Sequence, residues 1–178
     1  LYRLARDSKI VSILTEAAEN GKEVLALLGL GARFDEENNI EWSRRLEEAG
    51  CRVLYGLDGR KVHCKLCLIT ARREGRICYL TQVGTGNYNE RTAGQYTDLS
   101  YITSDTDAGR EAGRIFNSLC LGQAPSGGGR FLTAPGRMQE ELLELIEEQI
   151  RRAEGGKPAY IGMKMNALTD KRVICALM

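Results

Sequence analysis

His63 is the only histidine in the chain, and it stands two residues before Lys65 in the stretch Lys61-Val62-His63-Cys64-Lys65-Leu66-Cys67-Leu68-Ile69. Residues 60–69 form the strongest strand pattern in the sequence. Side chains of a strand alternate between two faces, so Val62, Cys64, Leu66 and Leu68 are expected on one apolar face and His63 and Lys65 on the other. An imidazole beside an ammonium suits phosphate chemistry. The ammonium attracts the anion, and the imidazole is a nucleophile that titrates near neutrality. The same spacing also suits an ordinary half-exposed strand with a polar face. The following Gly84-Thr85-Gly86-Asn87-Tyr88-Asn89, with Thr92 and Tyr96-Thr97-Asp98 after it, favours a site. Its glycines allow close backbone approach to a ligand, and Thr85 and Asn87 offer hydrogen bonds.

The elements that must position these residues alternate between strand and helix. Asp7-Ser8 can cap a helix to about residue 20, with Ile10, Ile13, Leu14 and Ala17 on one face. Residues 22–29 read as a buried strand followed by a loop over residues 32–35. A helix over 35–49 uses Ile40, Trp42 and Leu46 for its apolar contacts, and a strand over 51–55 follows. Glu74-Gly75 turns the His63 strand into a strand over 77–83, residues 99–103 give a further strand, and Ser104 or Asp105 caps a helix to about residue 119. This order implies an α/β fold with a partly parallel sheet, whose sites lie at the carboxyl ends of strands. Arg3 and Arg33 sit at such ends, where a phosphate clamp and a solvated surface arginine are both accommodated.

Residues 122–129, rich in glycine, mark a flexible connection. From Pro135 an amphipathic helix runs to Glu154, with a stripe of Met138, Leu142, Leu145, Ile146 and Ile150 expected in the core. A strand over 160–166 and a helix opened by Asp170 follow, as at the start of a second α/β unit.

The chain has 178 residues, 43% hydrophobic and 28% charged, with a net charge of +1. That balance gives no bulk electrostatic case for nucleic acid or a membrane, so an anion site must be local. No apolar run approaches the roughly 20 residues that span a bilayer, and no signal peptide is seen, so the cytoplasm is expected. The six cysteines are expected to be buried free thiols. Cys64-x-x-Cys67 is an unpromising metal or redox pair, because strand residues three apart point to opposite faces. The chain opens with Leu1-Tyr2-Arg3, like the tail of a strand, and closes within a helical pattern. It is expected to be a piece of a longer protein.

The motifs Leu1-Tyr2-Arg3, Ala32-Arg33-Phe34-Asp35-Glu36-Glu37-Asn38, Lys61-Val62-His63-Cys64-Lys65-Leu66, Gly84-Thr85-Gly86-Asn87-Tyr88-Asn89, Tyr96-Thr97-Asp98 and Lys164-Met165-Asn166-Ala167-Leu168-Thr169-Asp170 resemble the bacterial, phosphohistidine-forming polyphosphate kinases. The resemblance runs in register over essentially the whole chain. It implies a phospholipase-D-like mixed sheet flanked by helices. It also implies a first carboxy-terminal catalytic domain at residues 1–121, a linker at 122–134, and the helix and opening of a second such domain at 135–178.

The activity implied is reversible transfer of the ATP γ-phosphate to inorganic polyphosphate through a phosphohistidine at His63. By the same resemblance Arg3 and Arg33 bind phosphate oxygens that also hold Mg²⁺, and Tyr96 contacts the nucleotide. Strand geometry adds Lys65 and Asn87 as phosphate contacts, and Asp98 is a candidate to orient His63 through its other ring nitrogen, as carboxylates often do. ATP, ADP and polyphosphate are the expected partners, nucleic acid is not, and the full-length enzyme is expected as a homo-oligomer with peripheral membrane association. Thr70 falls near the place of the usual acid after His-x-Lys, and Gly29 and Gly31 replace an acid and a polar residue of the family. The resemblance further implies a second histidine from the second carboxy-terminal domain and adenine contacts from an amino-terminal domain. Two other readings fit His-x-Lys: a phospholipase-D-like phosphodiesterase, which needs a second such motif within reach, and a non-catalytic phosphate-binding α/β module.

Overall fold

A two-residue turn at Glu74 and Gly75 sets the geometry of the central hairpin. Both residues have positive φ, 48° and 75°, as a type I′ turn requires, and its twist matches that of the flanking strands. The turn joins strand β3 (Lys65–Arg73) to β4 (Arg76–Gly84), paired antiparallel from Arg73↔Arg76 at the tip to Lys65↔Gly84 at the far end. Strand β5 (Ser100–Thr103) adds antiparallel to β4. The computed structural model describes residues 1, 4–5, 7–29, 36–126 and 129–178. The chain forms two compact units, Leu1–Ala124 and Pro125–Met178.

In the first unit a second sheet pairs β1 (Leu25–Leu27) and β2 (Arg52–Leu54) in parallel, as a crossover through a helix demands. Helices α1 (Lys9–Glu19) and α2 (Glu36–Glu48) accompany it. Their core joins Leu4, Val11, Val24, Ala26, Leu28, Trp42, Leu46 and Cys51. Leu1 lies beside β1: its amino group donates to Leu27 O, and its carbonyl accepts from Gly29 N at 2.9 Å. The same amino group is within electrostatic reach of Cys64 and Lys65, which places the start of the chain near both sheets. After a short α3 (Glu90–Ala93), helix α4 (Thr106–Cys120) packs on the hairpin, capped by Asp105, whose carboxylate accepts from Ala108 N at 2.8 Å. This is the expected mixed α/β architecture, and among the described residues its parallel and antiparallel strands pair in two groups.

The second unit holds α5 (Met138–Glu154) and α6 (Lys171–Leu177), the latter capped by Asp170. Among the described residues, no helix is long and apolar enough to cross a membrane.

Several expectations are corrected. The strand expected over 60–69 begins at Lys65, so His63 precedes it in irregular chain. The face assignment also changes. Lys65 is buried, at 4% exposure, whereas Cys64, Cys67 and Ile69 are exposed. The physical reason is that α4 packs on the opposite face, where Leu68 meets Gly113, while the Lys65 ammonium folds back on His63, donating to its carbonyl at the strand's end. All six thiols are free, but only Cys51 is buried. Ile13 and Ile40 are exposed because the helix faces centre on Val11, Trp42 and Leu46 instead. The strand expected over 160–166 does not form: Tyr160 is 84% exposed, and among the described residues no neighbouring strand pairs with it, without which an extended segment has no ladder. On α5, Ile146 is buried while Leu145 and Ile150 are exposed. The short helix α3 was not anticipated.

Candidate functional site

The site is built where the hairpin ends. Register places Lys65 opposite Gly84, so the glycine-rich loop leaves β4 directly across from the lysine. Lys65 Nζ donates to His63 O at 2.7 Å and lies 3.0 Å from His63 Nδ1 and 3.1 Å from Nε2. A point equally near both ring nitrogens lies over the ring face, because the in-plane position belongs to Cε1–H. The ammonium thus seats against the face of the imidazole. His63 itself is exposed.

Across from this pair the loop is fixed by a short network. Thr85 N donates to Leu99 O at 3.0 Å, and Thr85 Oγ1 accepts from Leu99 N at 3.0 Å while donating to Asp98 Oδ1 at 2.9 Å. The Asp98 carboxylate lies against Gly86, where a β-carbon would be 2.4 Å from Oδ2. Only glycine tolerates that approach. Asn87 Oδ1 is buried with no hydrogen-bond donor from the protein, as is Thr81 Oγ1, which leaves it open to a water, an ion or a ligand group.

Tyr88 is pinned across the hairpin. Its hydroxyl donates to Gln82 Oε1, and Gln82 Nε2 donates to Ser100 Oγ at 2.9 Å. Burial, with Cys67 and Cys64 beside it, pushes the Tyr88 phenol well above its ordinary pKa, so it stays a neutral donor. Asn89 caps α3, accepting from Arg91 N at 3.1 Å and Thr92 N at 3.0 Å. Glu90 Oε1 accepts from Lys9 N at 2.9 Å, tying the loop to the first residue of α1.

The structure therefore brings His63 and Lys65 into contact, and sets Asn87 and Asp98 on the loop that begins opposite Lys65. Tyr96 follows α3 and is 66% exposed. Arg3 and Arg33, the expected phosphate clamps, lie outside the described residues, as does the loop at 32–35. Sequence reasoning missed the Tyr88–Gln82–Ser100 chain and the Glu90–Lys9 tie. The signal for α3 was legible as Asn89 followed by an acidic first turn; the cross-strand relay has no local signature.

Mg²⁺ takes oxygen ligands and keeps several waters, so it commonly binds through one or two protein oxygens and the substrate's phosphates. The undonated Asn87 Oδ1 and the Asp98 carboxylate are oxygens of that kind. Among the described residues no three His, Cys, Asp or Glu side chains cluster as metal ligands.

Comparisons with known proteins find one family along the length of the chain. The family model of polyphosphate kinase C-terminal domain 1 matches residues 1–125, and that of C-terminal domain 2 matches residues 131–178. The polyphosphate kinase of Lactiplantibacillus plantarum is 44% identical over 177 residues, covering 99% of this chain and 25% of the relative. That of Thermosynechococcus vestitus is 45% identical over 177 residues, covering 99% of this chain and 24% of the relative. The crystal structure of polyphosphate kinase from Porphyromonas gingivalis superposes with a TM-score of 0.82 at 40% identity, over 99% of this chain and 29% of that one. The chain spans about a quarter of the length of the curated relatives it matches.

Proposed function

Given that the chain belongs to the polyphosphate kinase family, we propose that it carries the phosphoryl-relay step of an ATP:polyphosphate phosphotransferase, with His63 as the group that is transiently phosphorylated. The observation that carries this reading is the buried Lys65 ammonium seated 3.0 and 3.1 Å from the two ring nitrogens of the chain's single histidine.

In the first step the lone pair of one His63 ring nitrogen forms an N–P bond with the γ-phosphorus of ATP. The bridging P–O bond to the β-phosphate breaks, and its electron pair leaves with ADP. In the second step a terminal oxygen of polyphosphate forms the new P–O bond, and the N–P electron pair returns to the ring. Such transfers depend on positioning and charge neutralisation more than on covalent machinery. The His63 main-chain carbonyl and ring hold the Lys65 charge where phosphoryl oxygens arrive, which is where fixed charge is most effective. Asn87 and the glycines before it offer amide donors to the same oxygens, and Asp98 is assigned to orient the imidazole. Arg3 and Arg33 are assigned to the remaining phosphates, and exposed Tyr96 to the nucleotide. Mg²⁺, held through phosphate oxygens with Asn87 or Asp98, would supply further charge neutralisation. The compartment proposed is the cytoplasm, where ATP is abundant and six free thiols persist.

The test is incubation with γ-labelled ATP and Mg²⁺. Acid-labile, base-stable label is expected on His63 and is expected to vanish in His63→Ala. Label of that character persisting in the variant would refute the assignment.

A further inference from the structure

Along the middle of the hairpin, α4 and the β3–β4 sheet flank an open groove of about 420 Å³, lined among others by Thr70, Ile77, Tyr79, Arg110, Arg114 and Asn117. Its close walls depend on Gly109, with the second glycine, Gly113, facing more room. A β-carbon at Gly109 would be 2.3 Å from Tyr79 Cβ, and one at Gly113 would meet Leu68 at 3.9 Å. With no side chains there, the helix lies close to the sheet. Arg110, Arg114 and Asn117, spaced four and three apart, then share a helix face along the rim. On the strand side Arg72 shares the face of Thr70 by alternation and pairs in register with Ile77. Two guanidinium groups, Arg110 and Arg114, thus line the groove, and Arg72 stands next to its strand side beyond the lining, in a chain whose net charge is only +1.

The acids nearby leave that charge largely available. Asp107 Oδ1 is 3.7 Å from Arg110, with both side chains about two-thirds exposed, a geometry of small energetic consequence in water. Glu74 stands at the exposed hairpin tip, and Glu111 is buried on α4. Planar guanidinium forks, with the hydroxyls of Thr70 and Tyr79 and the Asn117 amide, match tetrahedral phosphate oxygens.

We infer that this groove is a second anchoring site for inorganic polyphosphate, holding a distal segment of the chain whose end is at His63. The inference rests on the function proposed above. Lys65 and Thr70, the polar lining residue of the same strand, are five strand residues apart, about 17 Å, and on opposite faces, so a chain much longer than tripolyphosphate is needed to reach both places. Two linked contacts on one ligand raise its retention through effective concentration. The groove therefore discriminates by chain length.

The experiment measures binding of long-chain polyphosphate and of tripolyphosphate to the 178-residue chain, alongside its labelling by γ-labelled ATP. Long-chain polyphosphate is expected to bind at least tenfold more tightly than tripolyphosphate. Arg72→Gln with Arg114→Gln should remove that advantage and leave His63 labelling unchanged. Arg151→Gln with Lys157→Gln, an equal loss of charge elsewhere, should preserve it. An advantage that survives the groove variant, or that the control abolishes equally, overturns the inference. So does tighter binding of an oligodeoxynucleotide of equal charge, which would assign the groove to nucleic acid. Should the groove variant fail to fold, phenylglyoxal modification of the unaltered chain decides. Polyphosphate must protect Arg72, Arg110 and Arg114, and unprotected arginines overturn the groove. Groove-dependent retention without His63 labelling sustains the groove while removing the phosphohistidine reading.

Discussion

A lysine ammonium taken out of water is costly unless its charge is hydrogen-bonded. Lys65 meets that condition through His63 O at 2.7 Å and the imidazole beside it. Under the proposed relay such a residue serves the site at the expense of the fold. Lys65→Met, apolar and of similar length, is expected to leave the urea midpoint unchanged or raise it, while lowering the rate of His63 labelling by about 10²-fold. A variant that labels normally would remove Lys65 from the site, and one that unfolds would make it a structural residue. The pairing of His63 with Lys65 was legible in the sequence because their spacing is local. The burial of Lys65 was not, because alternation tells which residues share a face but not which face the rest of the fold covers. Asn87 was legible as a hydrogen-bonding loop residue, yet its undonated oxygen is a property of the folded loop alone.

Helix α4 carries two glycines that propensity alone disfavours by about 1 kcal/mol each relative to alanine. Their surroundings differ. A β-carbon at Gly109 would collide with Tyr79 at 2.3 Å, whereas one at Gly113 would make an ordinary 3.9 Å contact with Leu68. Gly109→Ala is therefore expected to destabilise by about 1–3 kcal/mol, the scale of overpacking, and Gly113→Ala to stabilise by about 0.5–1 kcal/mol. Urea unfolding of both variants checks this, and equal effects would contradict the packing.

Helix α6 depends on Asp170, whose carboxylate accepts from Val173 N at 3.0 Å. That backbone bond, followed by the Gln139 amide, holds its pKa below the ordinary 3.8. A depressed folded pKa means the stabilisation is present above that ordinary value and disappears as pH falls through the lower folded one. Helical signal from α6 should fall in that acid range and should not in Asp170→Asn, which keeps the cap without the titration. An unchanged acid transition in the variant would rule out the cap as its cause. The helices α1, α2, α4 and α6 were legible from their caps and periodicity. The strand expected over 160–166 failed because a strand exists only with a partner, which no local pattern supplies.

At the scale of the whole molecule, the two units divide the chain at Ala124 and Pro125, and every described candidate site residue lies in the first. The near-neutral net charge means that affinity for a polyanion comes from placed groups, not from a bulk field. The order of strands and helices revealed the α/β class, but not how the described strands pair, β1 with β2 and β3 with β4 and β5, which depends on which strands meet in space. The decisive measurement follows the phosphoryl group itself. The chain is grafted in place of the matching quarter of the Lactiplantibacillus plantarum polyphosphate kinase, loaded from γ-labelled ATP, freed of nucleotide and chased with unlabelled polyphosphate. The label is expected to leave His63 and appear in polyphosphate. A graft that makes polyphosphate while its label stays on the protein or passes to water, or that keeps its activity as His63→Ala, would contradict the relay through this histidine.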